Sequence, residues 1–126
     1  MTFRTQWLDE IPVLHTVFED STSMSELNLV MLEYLGAAQE QEVHFLLDFT
    51  GINVPTNILK LPALLQVINH GNTKWLCLVK PETRASYMTR LLSRDKVKTF
   101  RKTDNAISFL QGMILSGTDN DLGASV

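Results

Sequence analysis

The sequence has little of what secreted, membrane-spanning and cysteine-based metal proteins require. Its 126 residues include one cysteine, Cys77, so an internal disulfide and a cysteine-based metal site are excluded. No apolar run approaches the roughly 20 residues that a membrane-spanning helix needs. The first residues lack the basic segment and apolar stretch of a secretory signal. We therefore expect a cytoplasmic protein without an integral membrane segment.

The sequence also lacks the common signatures of catalysis. It contains no glycine-rich phosphate loop, no Ser-His-Asp order, no paired catalytic carboxylates and no His-Glu-x-x-His motif. The histidines, His15, His44 and His70, are far apart, and Cys77 lies in an apolar run that favours a buried, inert thiol. We predict a protein that is not an enzyme and that holds neither a metal nor a cofactor.

Positive charge is scarce in the first half of the chain. Residues 1–59 contain one basic and nine acidic residues, whereas residues 60–126 contain ten basic and five acidic ones. The fold either gathers these charges into an acidic and a basic face or scatters them over a solvated surface. The candidates for a basic patch are Arg84, Arg90, Arg94, Lys96, Lys98, Arg101 and Lys102. In an acidic protein we expect such a patch to attract an acidic partner or a second copy rather than nucleic acid.

Hydrophobic periodicity predicts alternating strands and helices. Strands are expected over residues 3–8, 12–18, 43–49, 74–80 and 97–102, and helices from the Ser23–Glu26 capping box to about residue 38, over 56–69, from Pro81, and over 104–114. The order β-β-α-β-α-β-α-β-α predicts an α/β fold with a mixed, mostly parallel five-stranded sheet. Residues 1–114 form this predicted domain, and residues 115–126 are predicted as a disordered C-terminal tail.

Segments of this pattern carry a family resemblance. They are residues 45–52 (FLLDFTGI), 74–79 (KWLCLV), 97–101 (VKTFR) and 105–110 (NAISFL). In this order they resemble the STAS domain superfamily, the anti-sigma-factor antagonist fold, and especially its SpoIIAA-like branch. The resemblance covers most of residues 3–113. It implies a SpoIIAA-like fold and a regulatory module that binds another protein, such as a kinase or an anti-sigma-like regulator.

The resemblance also implies a phosphorylation switch at the start of the helix after the third strand. STAS antagonists carry Asp-Ser-Ser-Gly there, where residues 54–59 of this chain read VPTNIL. Thr56 is the first candidate for the phosphorylated residue, and Thr50 is the second. A hydroxyl at Thr56 has an alternative and purely structural role, because it suits a helix N-cap.

Asp48 ends the predicted central strand and is the remaining polar candidate. It either braces the following loop, by accepting amide hydrogen bonds from residues such as Thr50 or Gly51, or lies beside a ligand at the carboxyl edge of the sheet. Gly51 and Asn57 are assigned with Asp48 to this loop-bracing or ligand-adjacent group.

The second predicted helix supports an alternative function. It has more apolar residues than one narrow stripe requires: Ile58, Leu59, Leu61, Leu64, Leu65, Val67 and Ile68. Such an excess is typical of a homodimer face or of a groove for a hydrophobic ligand. The alternative to a regulatory module is therefore a carrier or sensor that binds a small, lipid-like apolar ligand under this helix.

Overall fold

A computed structural model describes residues 3–8, 11–18, 23–50, 62–79 and 95–124. These residues form an α/β fold with a five-stranded sheet and three helices. The strands are β1 (Phe3–Trp7), β2 (Val13–Phe18), β3 (Val43–Asp48), β4 (Thr73–Val79) and β5 (Val97–Phe100), and the helices are α1 (Met24–Glu40), α2 (Pro62–Asn69) and α3 (Thr103–Ala124). The helix predicted to start at Pro81 lies outside the described residues.

The strands follow one another across the sheet in chain order. β1 pairs with β2 in antiparallel fashion, whereas β2 with β3, β3 with β4, and β4 with β5 are parallel pairs. The sheet is therefore mixed. The structure confirms the predicted first hairpin and the central position of the third strand, because every residue of β3 is buried.

Side chains alternate along each strand and so supply two separate cores. One face of the sheet packs against both α1 and α2. The core on this side includes Phe45 and Leu47 from the sheet, Tyr34 from α1 and Leu64 from α2. The opposite face packs against α3. Its core residues are Val13, Leu46, Cys77, Val79, Ala106 and Leu110. Below we call this second surface the α3 face of the sheet.

α1 begins at the capping box that the sequence predicts. The hydroxyl of Ser23 accepts a hydrogen bond from the backbone N–H of Glu26 at 3.2 Å, and the Glu26 carboxylate accepts one from the N–H of Ser23 at 3.3 Å. The predicted apolar stripe is buried at Leu27, Val30, Met31, Tyr34 and Ala38. A buried chain of hydroxyls satisfies Tyr34, whose phenol bonds to Thr16, which in turn bonds to Thr5.

The other two helices differ from the predictions at their ends. α2 is described from Pro62, which suits a first helical position because proline has no N–H to leave unpaired. The earlier part of the predicted helix, residues 56–61, lies outside the described residues. α3 continues to Ala124, so helix reaches into the segment predicted as a disordered tail. Extending an existing helix costs far less than nucleating one, and no proline interrupts this segment.

The capping box gives a direct test of the first helix. Ser23→Ala removes the acceptor for the N–H of Glu26, and we expect it to lower the free energy of unfolding by about 1 kcal/mol. Ser25→Ala is the matched control, since Ser25 is exposed in the first turn and does not cap the helix. Urea titration followed by circular dichroism measures both. Equal effects of the two substitutions would contradict the capping role.

Candidate functional site

The carboxyl ends of β3, β4 and β5 meet at one edge of the sheet. In register, Asp48 lies beside Val79, and Val79 lies beside Phe100. Thr50 lies two residues after the end of β3, and α3 starts at Thr103 just after β5. The chain therefore brings a strand end, a loop start and a helix start together at this edge. Below we call Asp48, Thr50 and Thr103, with their neighbours Arg101, Lys102 and Asp104, the carboxyl-edge site.

Asp48 joins the two parts of this site. One carboxylate oxygen accepts hydrogen bonds from the backbone N–H of Thr50, at 2.9 Å, and from the hydroxyl of Thr50. The other oxygen accepts a hydrogen bond from the hydroxyl of Thr103 at 2.7 Å. Asp48 thus braces the loop after β3, as one of its two predicted roles requires. It also fastens the first residue of α3 to the centre of the sheet.

The protonation state of Asp48 follows from these contacts. Burial acts to raise the pKa of this carboxyl group, but the hydrogen bonds from Thr50 and Thr103 outweigh it and lower the pKa below its usual value. The ionised form is therefore held in place by donors on both sides. A carboxylate whose two oxygens are both engaged in this way acts as a structural acceptor rather than a ready proton acceptor.

An open cleft lies beside the two threonines that this carboxylate holds. It has a volume of about 570 Å³, and its described lining consists of Thr50, Arg101, Lys102, Thr103 and Asp104. The side chains of Thr50, Arg101 and Lys102 are exposed. Two cations, two hydroxyl groups and the carboxylate of Asp104 therefore face a single opening, next to the start of α3. The described lining has one more positive than negative group, and together with the start of α3 this favours an anionic group.

The order of the strands turns the charge asymmetry of the sequence into a spatial one. Because neighbouring strands are also consecutive in the chain, the acidic half of the sequence supplies β1 to β3 and α1. The basic half supplies α2, β4, β5 and α3, although α3 itself contains no lysine or arginine. Exposed glutamates such as Glu33 and Glu40 lie on α1, whereas Lys98, Arg101 and Lys102 lie on β5 and just after it.

The predicted basic patch is only partly assembled at this site. Arg84, Arg90 and Arg94 lie outside the described residues. Lys96 precedes β5, at the opposite edge of the sheet, and donates a hydrogen bond to the backbone carbonyl of His70 at 2.9 Å. Lys98 lies on the α3 face, with its ammonium group 4.7 Å from the centre of the Phe109 ring. Arg101 and Lys102 remain as the described cations of the cleft.

This cleft differs in origin from the ligand crevice expected in open α/β sheets. Such a crevice forms where the strand order reverses and successive helices lie on opposite faces. Here the described strands show no reversal, and α1 and α2 lie on the same face. The wall of the cleft is formed instead by the chain as it leaves β5 and crosses to the other face as α3.

Sequence reasoning found part of this site. It singled out Asp48 and Thr50, which the structure joins by hydrogen bonds. Gly51, Thr56 and Asn57 lie outside the described residues. Thr103 was not singled out, because it is far from Asp48 in sequence. The available signal was its position at the end of the fifth strand, since parallel strands share one carboxyl edge.

The other candidates from the sequence, the histidines and Cys77, form no metal site in the part of the chain that the structure describes. There, no three histidine, cysteine, aspartate or glutamate side chains meet in a way that would hold a metal ion. Burial raises the pKa of the Cys77 thiol to about 12. Cys77 is therefore a buried, protonated thiol, as its apolar surroundings predict.

The described part of α2 contributes to the core. Ala63, Leu64, Val67 and Ile68 are buried against the sheet and α1, and Leu64 is only 1% exposed. These residues of the second helix therefore contact protein atoms rather than a groove. Residues 58–61, which are part of the predicted apolar surface, lie outside the described residues.

None of the described helices has the length and apolar character needed to cross a membrane.

Comparison of the chain with protein-family models, with curated proteins and with solved structures found no match. The resemblance to STAS domains therefore stays a prediction from the sequence. The fold itself, an α/β arrangement with a mixed five-stranded sheet, is established by the structure.

The bracing role of Asp48 predicts a pH-dependent cost for Asp48→Asn. Near neutral pH the substitution replaces a charged acceptor of three hydrogen bonds, and we expect it to lower the free energy of unfolding by roughly 2 kcal/mol. Because folding lowers the pKa of Asp48, its stabilising effect is present above the ordinary value of about 3.9 and disappears as the pH falls through the lower folded value. The difference in free energy of unfolding between Asp48→Asn and the wild type should therefore shrink as the pH falls over this range.

Asp95→Asn serves as the control for this measurement. Asp95 is exposed and lies outside the strands and helices, so its replacement should change stability by less than about 0.5 kcal/mol. Urea titrations at neutral pH and near pH 3 compare the three proteins. If the stability lost in Asp48→Asn stays the same down to pH 3, the hydrogen bonds do not depend on the negative charge of the Asp48 carboxylate.

Proposed function

We propose that this protein is a regulatory protein-interaction module of the STAS type that recognises an acidic segment of its partner at the carboxyl-edge site. The observation that carries the proposal is the cleft lined by Thr50, Arg101, Lys102, Thr103 and Asp104, two of whose residues, Thr50 and Thr103, are held by Asp48. Exposed cations there attract an acidic chain, and the threonine hydroxyls, whose protons go to Asp48, can accept hydrogen bonds from its backbone N–H groups.

Rigidity of the cleft supports a binding role. Asp48 holds the cleft lining at Thr50, which follows β3, and at Thr103, which follows β5. A surface that is already ordered loses little conformational entropy when a partner docks. The same bonds also occupy the one buried carboxylate of the site, which favours recognition over acid–base chemistry.

Phosphorylation of Thr50 would act on these contacts directly. The hydroxyl of Thr50 donates to Asp48 and is exposed at the cleft. A phosphate there would remove this donor, repel the Asp48 carboxylate and place nearly two negative charges next to Arg101 and Lys102. It would therefore compete with an acidic partner for the same cations. Thr56, the first candidate from the resemblance, remains part of the proposed switch.

The lipid-carrier alternative has less support. Its groove would lie under the second helix, and the described residues of α2 are packed into the core. A filled core beneath a helix leaves no room there for an acyl chain.

Charge reversal tests the docking site. Quantitative affinity capture from native-host lysate compares the wild type with Arg101→Glu and with Lys74→Glu. Both variants make the same change in net charge, but Lys74 lies near the opposite edge and pairs with Glu42 at 2.6 Å. We expect Arg101→Glu to reduce capture of the specific partner by about tenfold, equivalent to about 1.4 kcal/mol, and Lys74→Glu to retain it. Equal capture by both variants would refute docking at the cleft.

The phospho-switch has its own test. Phosphopeptide mapping of the protein purified from its native host shows whether Thr50 or Thr56 carries a phosphate. Thr50→Glu should weaken capture of the partner found above, whereas Thr50→Ser keeps a hydroxyl and should retain it. Unmodified Thr50 and Thr56, together with full capture by Thr50→Glu, would remove the switch from the proposal and leave only the docking site.

A further inference from the structure

Two histidines lie on the α3 face of adjacent strands. His15 is two residues after Val13 on β2, and His44 is two residues before Leu46 on β3, so both point to the face on which Val13 and Leu46 pack. In the parallel register His15 pairs with Leu46 and His44 pairs with Val13. The two imidazoles are therefore diagonal neighbours on a single surface. Below we call them the buried histidine pair.

Both rings are buried without full hydrogen bonding. His15 is 8% exposed and His44 is 7% exposed. Nε2 of His15 and Nδ1 of His44 are enclosed, and neither has a hydrogen-bond partner among the residues that the structure describes. A neutral imidazole tolerates one unpaired acceptor nitrogen at a modest cost. An imidazolium must donate from both nitrogens, so protonation would bury a charged donor with nothing to receive it.

The charged groups around each ring leave this cost largely uncompensated. His15 is near Asp48 on β3, which favours the proton, and near Arg4 on β1, which disfavours it. His44 is near Glu42, just before β3, which favours the proton, and near Lys74 on β4, which disfavours it. The described residues of α3 in this core, Ala106 and Leu110, are apolar. For both histidines, burial is the main cause that lowers the pKa, followed by these charges.

We propose that the buried histidine pair makes the α3 face sensitive to protons, so that mild acid loosens the packing of α3 against the sheet. This does not depend on the carboxyl-edge site being a docking surface. It would, however, give that site a second input, because α3 forms one wall of the cleft. Proton uptake by His15 and His44 favours states in which their rings reach water, and displacement of α3, whose Ala106 and Leu110 pack with Val13 and Leu46 on this face, provides such a state.

The sign of the effect follows from proton linkage. In the unfolded chain a histidine has a pKa of about 6.5, and folding lowers that value for both residues. The neutral rings stabilise the folded state fully when the pH is above the pKa of the unfolded chain. This stabilisation is lost progressively as the pH falls from that pKa toward the lower pKa values of the folded protein. Within this window each histidine raises the unfolding equilibrium constant by up to about tenfold per pH unit. Asp48 and Glu42, whose pKa values are also lowered, act only near pH 4 and below.

Urea unfolding of the full chain between about pH 7.5 and about pH 5.5, followed by tryptophan fluorescence, measures this dependence. We expect the unfolding constant of the wild type to rise by up to about a hundredfold over this range, if both rings contribute. His15→Gln and His44→Gln should each remove part of the rise, and the double variant should remove most of it. A wild type with constant stability, or a double variant with the wild-type slope, would overturn the proposal.

His70→Gln is the matched control. His70 is only half-buried, at the end of α2, and its Nδ1 accepts a hydrogen bond from the backbone N–H of Asn72 at 3.1 Å. This variant controls for the general effect of replacing a histidine by glutamine. It should retain the wild-type dependence on pH. If it removes as much of that dependence as the double variant does, the buried pair is not responsible.

Two measurements on the wild type test the proposal without any variant. Nuclear magnetic resonance of isotope-labelled histidine side chains should show two rings that titrate below the ordinary histidine pKa of about 6.5. Hydrogen exchange, corrected for the intrinsic effect of pH, should show the amides of residues 103–115 losing more protection in mild acid than those of α1. Two rings that titrate normally, or equal losses in both helices, would overturn the inference.

Discussion

The central strand can occupy its position only if both faces of the sheet are covered, because every residue of β3 is buried. Val43, Phe45 and Leu47 point to one side and Leu46 points to the other. α1 and α2 satisfy the first side, and α3 satisfies the second. The final helix must therefore cross from the end of β5 to the face that the earlier helices leave uncovered, and this crossing creates the carboxyl-edge site.

Asp48 links this packing requirement to the chemistry of the edge. Its backbone completes the central strand, and its carboxylate holds both the loop after that strand and the first residue of α3. Burying an ionised carboxylate is unfavourable unless donors surround it, and here the three hydrogen bonds supply them. The same residue therefore fixes the start of α3 and shapes the floor of the cleft. Its neighbours on the α3 face include His15, so charge at the edge and protonation on the face are coupled.

The strand order places the two halves of the chain in different parts of the sheet. Consecutive strands are neighbours in the sheet, so the acidic first half supplies β1, β2, β3 and α1, and the basic second half supplies α2, β4, β5 and α3. Among the described residues, the basic side chains of the second half lie on β4, on β5 and next to β5. α3 itself contains no lysine or arginine, and it begins with Thr103 and Asp104. The charge asymmetry of the sequence therefore carries over to the strands and not to the final helix.

The sequence by itself determined the elements whose formation depends on near neighbours. The capping box of α1, its apolar stripe, the first hairpin and the doubly buried third strand all follow from residue patterns a few positions long. Asp48 and Thr50 were also recognisable, because a carboxylate that braces the next loop is a local feature. Tertiary structure alone decided that Thr103 completes the site and that one ring nitrogen each of His15 and His44 is buried without a hydrogen-bond partner among the described residues. Those relations join residues far apart in the chain, and they exist only after the sheet has assembled and α3 has closed over it.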